Sequence, residues 1–284
     1  MREYISLAQL LQGIKGAVAE TFPGPVWVKA EIHELRIHGN GHCYMELVEK
    51  GSGRDVFSAK VSAVIWRSRR ALVEAAFYQG TGRRLEAGMT VLVRVRVQYS
   101  ELYGMSLSIE DIDPAFTLGE VELARQRTLE RLTREGLLEV NKSLPMPGLP
   151  RRFALITSET AAGYGDFMNH LYDNGYGFRF YTRLYPAPMQ GATAPAGIID
   201  ALNSVLDDLA EGAQYDAVLL LRGGGAVADL VCFDDYDLAV SIARFPLPVL
   251  VAVGHERDRH ICDMVAARSL KTPTALADYI VDAF

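Results

Sequence analysis

Val91-Leu92-Val93-Arg94-Val95-Arg96-Val97-Gln98 is the stretch that settles how the first half of this chain is built. Valine occupies every second position, and leucine, arginine or glutamine fills the positions between. A period of two marks a strand with one buried face and one less apolar face. The same period recurs on the N-terminal side. Val26, Val28, Ala30 and Ile32 alternate with Trp27, Lys29, Glu31 and His33, and Cys43, Met45 and Leu47 alternate with His42, Tyr44 and Glu46. Gly39, Asn40 and Gly41 form the turn signal between these two runs. A third strand is expected over 56–66 and a helix over 67–78. Beyond the quoted stretch, Tyr103 and Gly104 turn the chain, and Leu107 and Ile109 open a fifth strand. Three strands, a helix and two strands is the order of an OB-fold β-barrel. Such barrels bind single strands with a basic groove and aromatic stacking platforms. Trp27, Lys29, Tyr44, Arg94 and Arg96 stand on the less apolar faces and are the candidate DNA-binding residues. The other reading of Trp27 and Tyr44 is that they plug the barrel ends.

Further along, residues 118–138 carry Leu118, Val121, Leu129 and Leu132 among many Arg and Glu, the pattern of an amphipathic connecting helix. Pro145, Pro147, Gly148 and Pro150 then punctuate the chain, and the domain boundary is expected there. After it come short continuous apolar runs at 153–156, 178–185, 217–221 and 249–253, separated by segments of helical length. Continuous apolar strands alternating with helices belong to a mostly parallel sheet covered on both faces. The expected organisation is thus an OB-fold domain over 1–115, a connecting helix and Pro-rich linker over 116–150, and an α/β domain over 151–284.

Composition bounds the function. With 49% hydrophobic and 23% charged residues over 284 positions, the chain belongs to the globular class. No uncharged apolar run of about 18 residues occurs, so no membrane-spanning helix is expected, and residues 1–10 do not read as a signal peptide. Cys43, Cys232 and Cys262 are scattered without metal spacing and read as reduced core residues of a cytoplasmic protein. The net charge of −6 argues against indiscriminate nucleic-acid binding, but the charge is unevenly spread. Residues 27–103 hold 12 Lys/Arg against 8 Asp/Glu, and the remainder 17 against 27. Such asymmetry suggests that one end of the chain faces a polyanion.

In an open parallel sheet, ligands bind beyond the carboxyl ends of the strands. After Ile156 come Thr157, Ser158 and, further on, Asp166; after Leu221 come Arg222, Gly223, Gly224 and Gly225; after Val253 come Gly254, His255 and Asp258. The glycine run lets backbone N–H groups form a phosphate nest, with Ser158 as a further phosphate-binding candidate. Arg222 offers a two-pronged donor for phosphate oxygens and for charge growing in a transition state. His255 at a helix start would stay neutral and act as a general base. Asp258, three residues on, could orient its ring. Asp166 could position water or hold a metal ion such as Mg2+. Each feature has a plainer reading: the glycines as a turn, His255 and Asp258 as a satisfied polar pair, Asp166 as a first-turn acid. Asp234, Asp235 and Asp237 are read as acids stabilising a helix N-terminus rather than as a metal cluster.

At these residues the chain resembles the family of the bacterial exodeoxyribonuclease VII large subunit. The family's Arg-Gly-Gly-Gly-Ser, Glu-Asp-Leu and Phe-Asn/Asp segment stands here as Arg222 to Gly225 with Ala226, then Ala228, Asp229 and Leu230, then Phe233 and Asp234. Its Val-Gly-His-Glu-x-Asp is Val253, Gly254, His255, Glu256, Arg257 and Asp258. Ile156, Thr157, Ser158 and Asp166 match upstream, and Asp263 with Thr272, Pro273, Thr274 and Ala275 match downstream. Ala226 and Ala228 replace the usual Ser and Glu, and Leu221 stands where the family often has another Gly. The resemblance implies metal-tolerant or metal-independent cleavage of single-stranded DNA into short oligonucleotides, with no certain cofactor. It implies that Asp166, Arg222, His255 and Asp258 are the catalytic residues. It also implies a small subunit as partner, bound by a long C-terminal helical region that is expected to be absent from this chain. The alternative is a catalytically weakened single-stranded DNA-binding protein of the same family. A small-molecule phosphotransferase ranks last, because no Walker-type Lys-Ser/Thr follows the glycines.

Overall fold

The computed structural model describes residues 4–51, 57–222, 227–253 and 259–283. The chain divides into two compact units, 1–121 and 122–284. The first opens with helix α1 (Leu7–Thr21). A closed barrel follows, built from β1 (Val26–Ile37), β2 (Cys43–Lys50), β3 (Phe57–Ile65), β4 (Thr90–Ser100) and β5 (Gly104–Asp113). Helix α2 (Arg67–Thr81) sits between β3 and β4 in sequence. The strand order β1-β2-β3-β5-β4 closes through antiparallel β1–β4 pairs, with Val28 opposite Val93, and through a short parallel β3–β5 contact at Ala63 and Leu107. The alternating residues do as their period requires. Ala30, Ile32, Cys43, Met45, Leu47, Val91, Val93, Val95, Leu107 and Ile109 fill the barrel, with Val73 and Phe77 of α2 in the same core. Gly41 and Gly104 turn the chain with positive φ, 86° and 77°, where a Cβ would be strained.

Helix α1 has no counterpart in the sequence expectation. Its signal was a capping box: Ser6 Oγ accepts the Gln9 N–H, and the Gln9 side chain accepts the Ser6 N–H. No residue of α1 is buried, although Leu7, Leu10, Leu11, Ile14 and Val18 recur along it at helical spacing.

Helix α3 (Pro114–Arg134) begins four residues earlier than the expected connecting helix, which started at Leu118. The segment 122–150 is not a free linker, because it belongs to the second unit. Leu132 and Leu137 are part of that unit's core. Asn141 is fully buried and makes four hydrogen bonds. Its Nδ2 donates to the carbonyls of Phe245 and Leu247, and its Oδ1 accepts the N–H groups of Val249 and Ala267.

The second unit holds a parallel sheet of β6 (Arg152–Thr157), β7 (Tyr181–Pro186), β8 (Ala217–Leu221), β9 (Val249–Ala252) and the two-residue β10 (Arg268–Ser269). The order is β10-β9-β8-β6-β7. Its helices are α4 (Ala162–Tyr172), α5 (Ala194–Ala210), α6 (Tyr236–Ala243), α7 (Ile261–Val265) and α8 (Pro273–Asp282). Alternate strand residues bury into two separate cores. Ala154, Ile156, Val218, Leu220, Val249 and Val251 face α5, α6 and α7; Phe153, Leu155, Leu219, Leu221 and Leu250 face α4 and α8. The β6–α4–β7 step runs one way across the sheet and the later steps run the other, so right-handed crossovers place α4 on the opposite face from α5. The apolar run expected from Phe178 narrows to a strand starting at Tyr181. Under the sheet, the Tyr185 hydroxyl donates to Asp208 and meets the Tyr215 hydroxyl at 2.8 Å, while Arg183 pairs with Asp208 at 2.8 Å. Among the described residues no helix is long and apolar enough to cross a membrane.

Candidate functional site

The direction of the crossovers reverses between β6 and β8. That is the switch point at which open parallel sheets bind ligands, beyond the strands' carboxyl ends. Three adjacent strands, β9, β8 and β6, end side by side here. The pairs Ile156–Leu220 and Leu221–Ala252 set the register. Continued past the strand ends, it brings Ser158 level with Arg222, and Arg222 level with Val253.

Arg222 follows β8 directly, is only 7% exposed, and donates its backbone N–H to the Ala252 carbonyl at 3.0 Å. A guanidinium cannot shed its proton and requires anionic or carbonyl partners when buried. On β6, the Thr157 hydroxyl is buried with no hydrogen-bond partner among the described residues. Ser158 Oγ lies 3.2 Å from Thr160 Oγ1. Asp166 sits on α4 with its side chain exposed. His255, Asp258, Gly223, Gly224 and Gly225 lie outside the described residues, as do Ala226 and the side chain of Asp229. The strands that deliver those segments, β8 and β9, are hydrogen-bonded neighbours. Among the described residues no three His, Cys, Asp or Glu side chains converge as a metal-holding group.

The three aspartates expected at a helix N-terminus divide. Asp235 is the N-cap of α6, accepting the Leu238 N–H at 2.9 Å, and Asp237 lies in the first turn of α6. Asp234 turns away to α7. Its Oδ1 accepts the Ile261 N–H at 2.8 Å, and its Oδ2 lies 3.0 Å from His260 Nδ1. A carboxylate in its ionised form only accepts, so a hydrogen bond in this pair then needs the ring proton on Nδ1. His260 Nε2 is buried without a partner among the described residues. Leaving such a nitrogen unsatisfied costs about 1–3 kcal/mol. Sequence reading missed His260 altogether, because its partner stands 26 residues away and no spacing rule links them.

Burial, with help from Glu74, pushes the Cys43 thiol up to about 11, and burial raises Cys262 as well. Neither thiol is a nucleophile near neutral pH.

On the barrel, the five candidate DNA-binding residues do not form one group. Trp27 lies opposite Arg94 on the β1–β4 pair and is 49% exposed. Lys29 pairs with Glu120 at 2.9 Å, and Arg96 with Glu110 at 3.1 Å; Arg94 lies 3.8 Å from the same Glu110. Tyr44 is on β2, opposite Arg36, nine residues along β1 from Trp27. That is about 30 Å of strand. Neither aromatic plugs the barrel, since Tyr44 is 39% exposed. Tyr44 instead belongs to a shelf of rings that sequence reading did not assemble. His38 and His42 meet it edge-on at centroid distances of 5.0 and 6.2 Å, and Trp66 meets His42 at 4.9 Å. The shelf is braced from below: Trp66 Nε1 donates to Ser108 Oγ, and His42 Nδ1 accepts the Arg67 N–H, both at 2.9 Å. A rigid, half-exposed ring cluster with Arg36 and Arg67 nearby suits nucleobase stacking.

Comparison with known proteins agrees with both units. Residues 137–284 match the family described as exonuclease VII, large subunit, and residues 5–113 match the OB-fold nucleic acid binding domain. The chain is 35% identical over 283 residues to the exodeoxyribonuclease 7 large subunit of Deinococcus radiodurans, covering 98% of this chain and 67% of that protein. It is 34% identical to the protein of the same name from Moorella thermoacetica, covering 63% of it, and 32% identical to that from Thioalkalivibrio sulfidiphilus, covering 58%. The chain thus spans roughly three fifths of the length of these relatives.

Proposed function

Because the chain belongs to the exonuclease VII large-subunit family, we propose that it cleaves phosphodiester bonds of single-stranded DNA and releases short oligonucleotides. The observation that carries this reading is the switch point itself. A buried arginine and two hydroxyl-bearing residues stand at adjacent strand ends, where two further segments with chemical groups suited to phosphate begin.

In this reading the backbone N–H groups of Gly223, Gly224 and Gly225, with Ser158, receive the phosphate, and the Arg222 fork faces its non-bridging oxygens. His255 takes the proton of the attacking water, Asp258 orients its ring, and Asp166 holds the water. The P–O bond to the leaving strand breaks, and its oxygen takes a proton from solvent, to which His255 releases the one it gained. The barrel supplies affinity, with bases on the Tyr44 shelf and phosphates on nearby arginines. Should Mg2+ take part, Asp166 is the carboxylate to hold it. Assembly with a small subunit and a cytoplasmic location rest on the family alone. The family name favours the enzyme over a weakened DNA-binding protein.

Arg222→Lys tests the assignment, since lysine keeps the charge but loses the planar fork. The expected result is a kcat lower by about 10²-fold, with KM and Tm little changed. A higher KM with unchanged kcat would make Arg222 a strand-holding residue. A lower Tm together with lower activity would make it a loop brace.

A further inference from the structure

We propose that Arg125, Asp234 and His260 form a clamp that joins the far ends of the two segments following β8 and β9, and that the clamp positions the groups those segments carry. The proposal rests on the nuclease reading above for what is positioned, and on geometry for the clamp itself.

The chain leaves β8 at Arg222 and, past residues 223–226, runs through a 3-10 turn (Val227–Asp234) whose last residue is Asp234. It leaves β9 at Val253 and, past residues 254–258, reaches Arg259 and His260. The near ends of both segments are thus held by the β8–β9 ladder. The far ends are held to each other. Asp234 accepts the Ile261 N–H at 2.8 Å and lies 3.0 Å from His260 Nδ1. Arg125 of α3 reaches both partners: Nη2 donates to the Arg259 carbonyl at 2.9 Å, and Nε lies 3.6 Å from Asp234 Oδ1. The Asp234 and His260 side chains are only 8% and 11% exposed, so salt screens this pair little.

Capping of α7 accounts for only part of the imidazole: His260 is the N-cap and shares a capping box with Asp263, but its ring also lies against Asp234. Asp234 already satisfies the Ile261 N–H, and Asp263 accepts the His260 N–H at 2.9 Å while also accepting the Ser269 hydroxyl of β10. Histidine is not among the favoured capping residues, and a Ser or Thr would fill the place without burying a ring nitrogen that has no partner among the described residues. The ring's remaining task is to hold Asp234. With four points of attachment, two catalytic segments become one framed unit. Misplacement of reacting groups by about 1 Å is enough to lower a rate by about 10².

The test uses the whole chain with Asp234→Ala and Arg125→Ala, and three measurements: steady-state cleavage of a single-stranded oligonucleotide, amide exchange over residues 259–263, and Tm. Both variants should lower kcat, Asp234→Ala by about 10², with KM changed less than about twofold. Amide exchange over 259–263 should rise about tenfold while β8 and β9 keep their protection. The clamp is overturned if local exchange is unchanged in both variants, or if kcat is unchanged in both. It is equally overturned if kcat falls only along with protection across β8 and β9, the mark of general destabilisation. Should Asp234→Ala not fold, Arg125→Ala, on a helix surface, carries the same three measurements. If the unaltered chain releases no oligonucleotides, the nuclease reading fails, and the exchange measurement still decides the clamp.

Discussion

On β4 of the barrel, Val93 and Val95 are fully buried while Arg94 and Arg96, the residue after each, face outward toward Glu110; on β8 of the parallel sheet, Ala217 to Leu221 are buried without interruption. A barrel strand therefore offers every second side chain to solvent along its whole length. A doubly covered strand offers nothing until it ends. In the proposed reading, binding spreads along the barrel wall, where Trp27 and Tyr44 stand apart, and chemistry in the second unit is confined to the strand ends around the switch point. Affinity and reaction should then be separable by mutation, and three experiments press on that division.

The largest effect is expected from His255→Ala. Loss of a general base costs about 10²–10⁴ in rate, and oligonucleotide binding, carried by the barrel, should be nearly unchanged. Cleavage at the unaltered rate would remove His255 from the reaction and leave the strand-end site without its base.

Next comes Tyr44→Ala. Losing one base-stacking ring costs about 1–3 kcal/mol of affinity, or roughly 5- to 150-fold in Kd, with kcat on saturating substrate little changed. An equal loss from Trp27→Ala, with none from Tyr44→Ala, would move the binding surface to the β1–β4 side of the barrel. Binding in either case should weaken with salt as counterions are released.

The smallest effect lies beneath the sheet. Burial first, then hydrogen bonding to Asp208 and Tyr215, raises the Tyr185 hydroxyl well above its ordinary value. An unfolded tyrosine ionises near pH 10, so the unfolded chain sheds this proton first. The stabilisation is complete below about pH 10 and is lost as pH rises from there. Thermal melts at about pH 9 and about pH 10.5 should show an alkaline loss in the second unit that Tyr185→Phe reduces, with the barrel's transition unaffected. An identical alkaline loss in Tyr185→Phe would assign it to other groups.

What could be read in advance follows the same division. Alternation over Val91 to Val97 revealed the barrel because its period is local and its buried face is continuous. The apolar runs revealed the sheet, and the position of Arg222 just past β8 was legible because strand ends are visible in sequence. Helix α1 left two signals that the expectation did not use, its Ser6–Gln9 cap and the stripe of Leu7, Leu10, Leu11, Ile14 and Val18 at helical spacing. β10 escaped because two residues have no period. The Asp234–His260 pair and the joining of Trp66 to the His42–Tyr44 rings escaped for one reason: each link spans more than 20 residues, and neither uses a spacing that chemistry demands.

Asn141 bears on how the molecule can be taken apart. Its amide closes four hydrogen bonds with the backbone of Phe245, Leu247, Val249 and Ala267. It does at the entrance of β9 what a neighbouring strand would otherwise do. A fragment begun at Arg151, just past the proline cluster, would discard this side chain along with Leu132 and Leu137. It would expose the start of a central strand as raw edge, the kind of surface that recruits other chains. Begun at residue 122, the same fragment keeps its own seal.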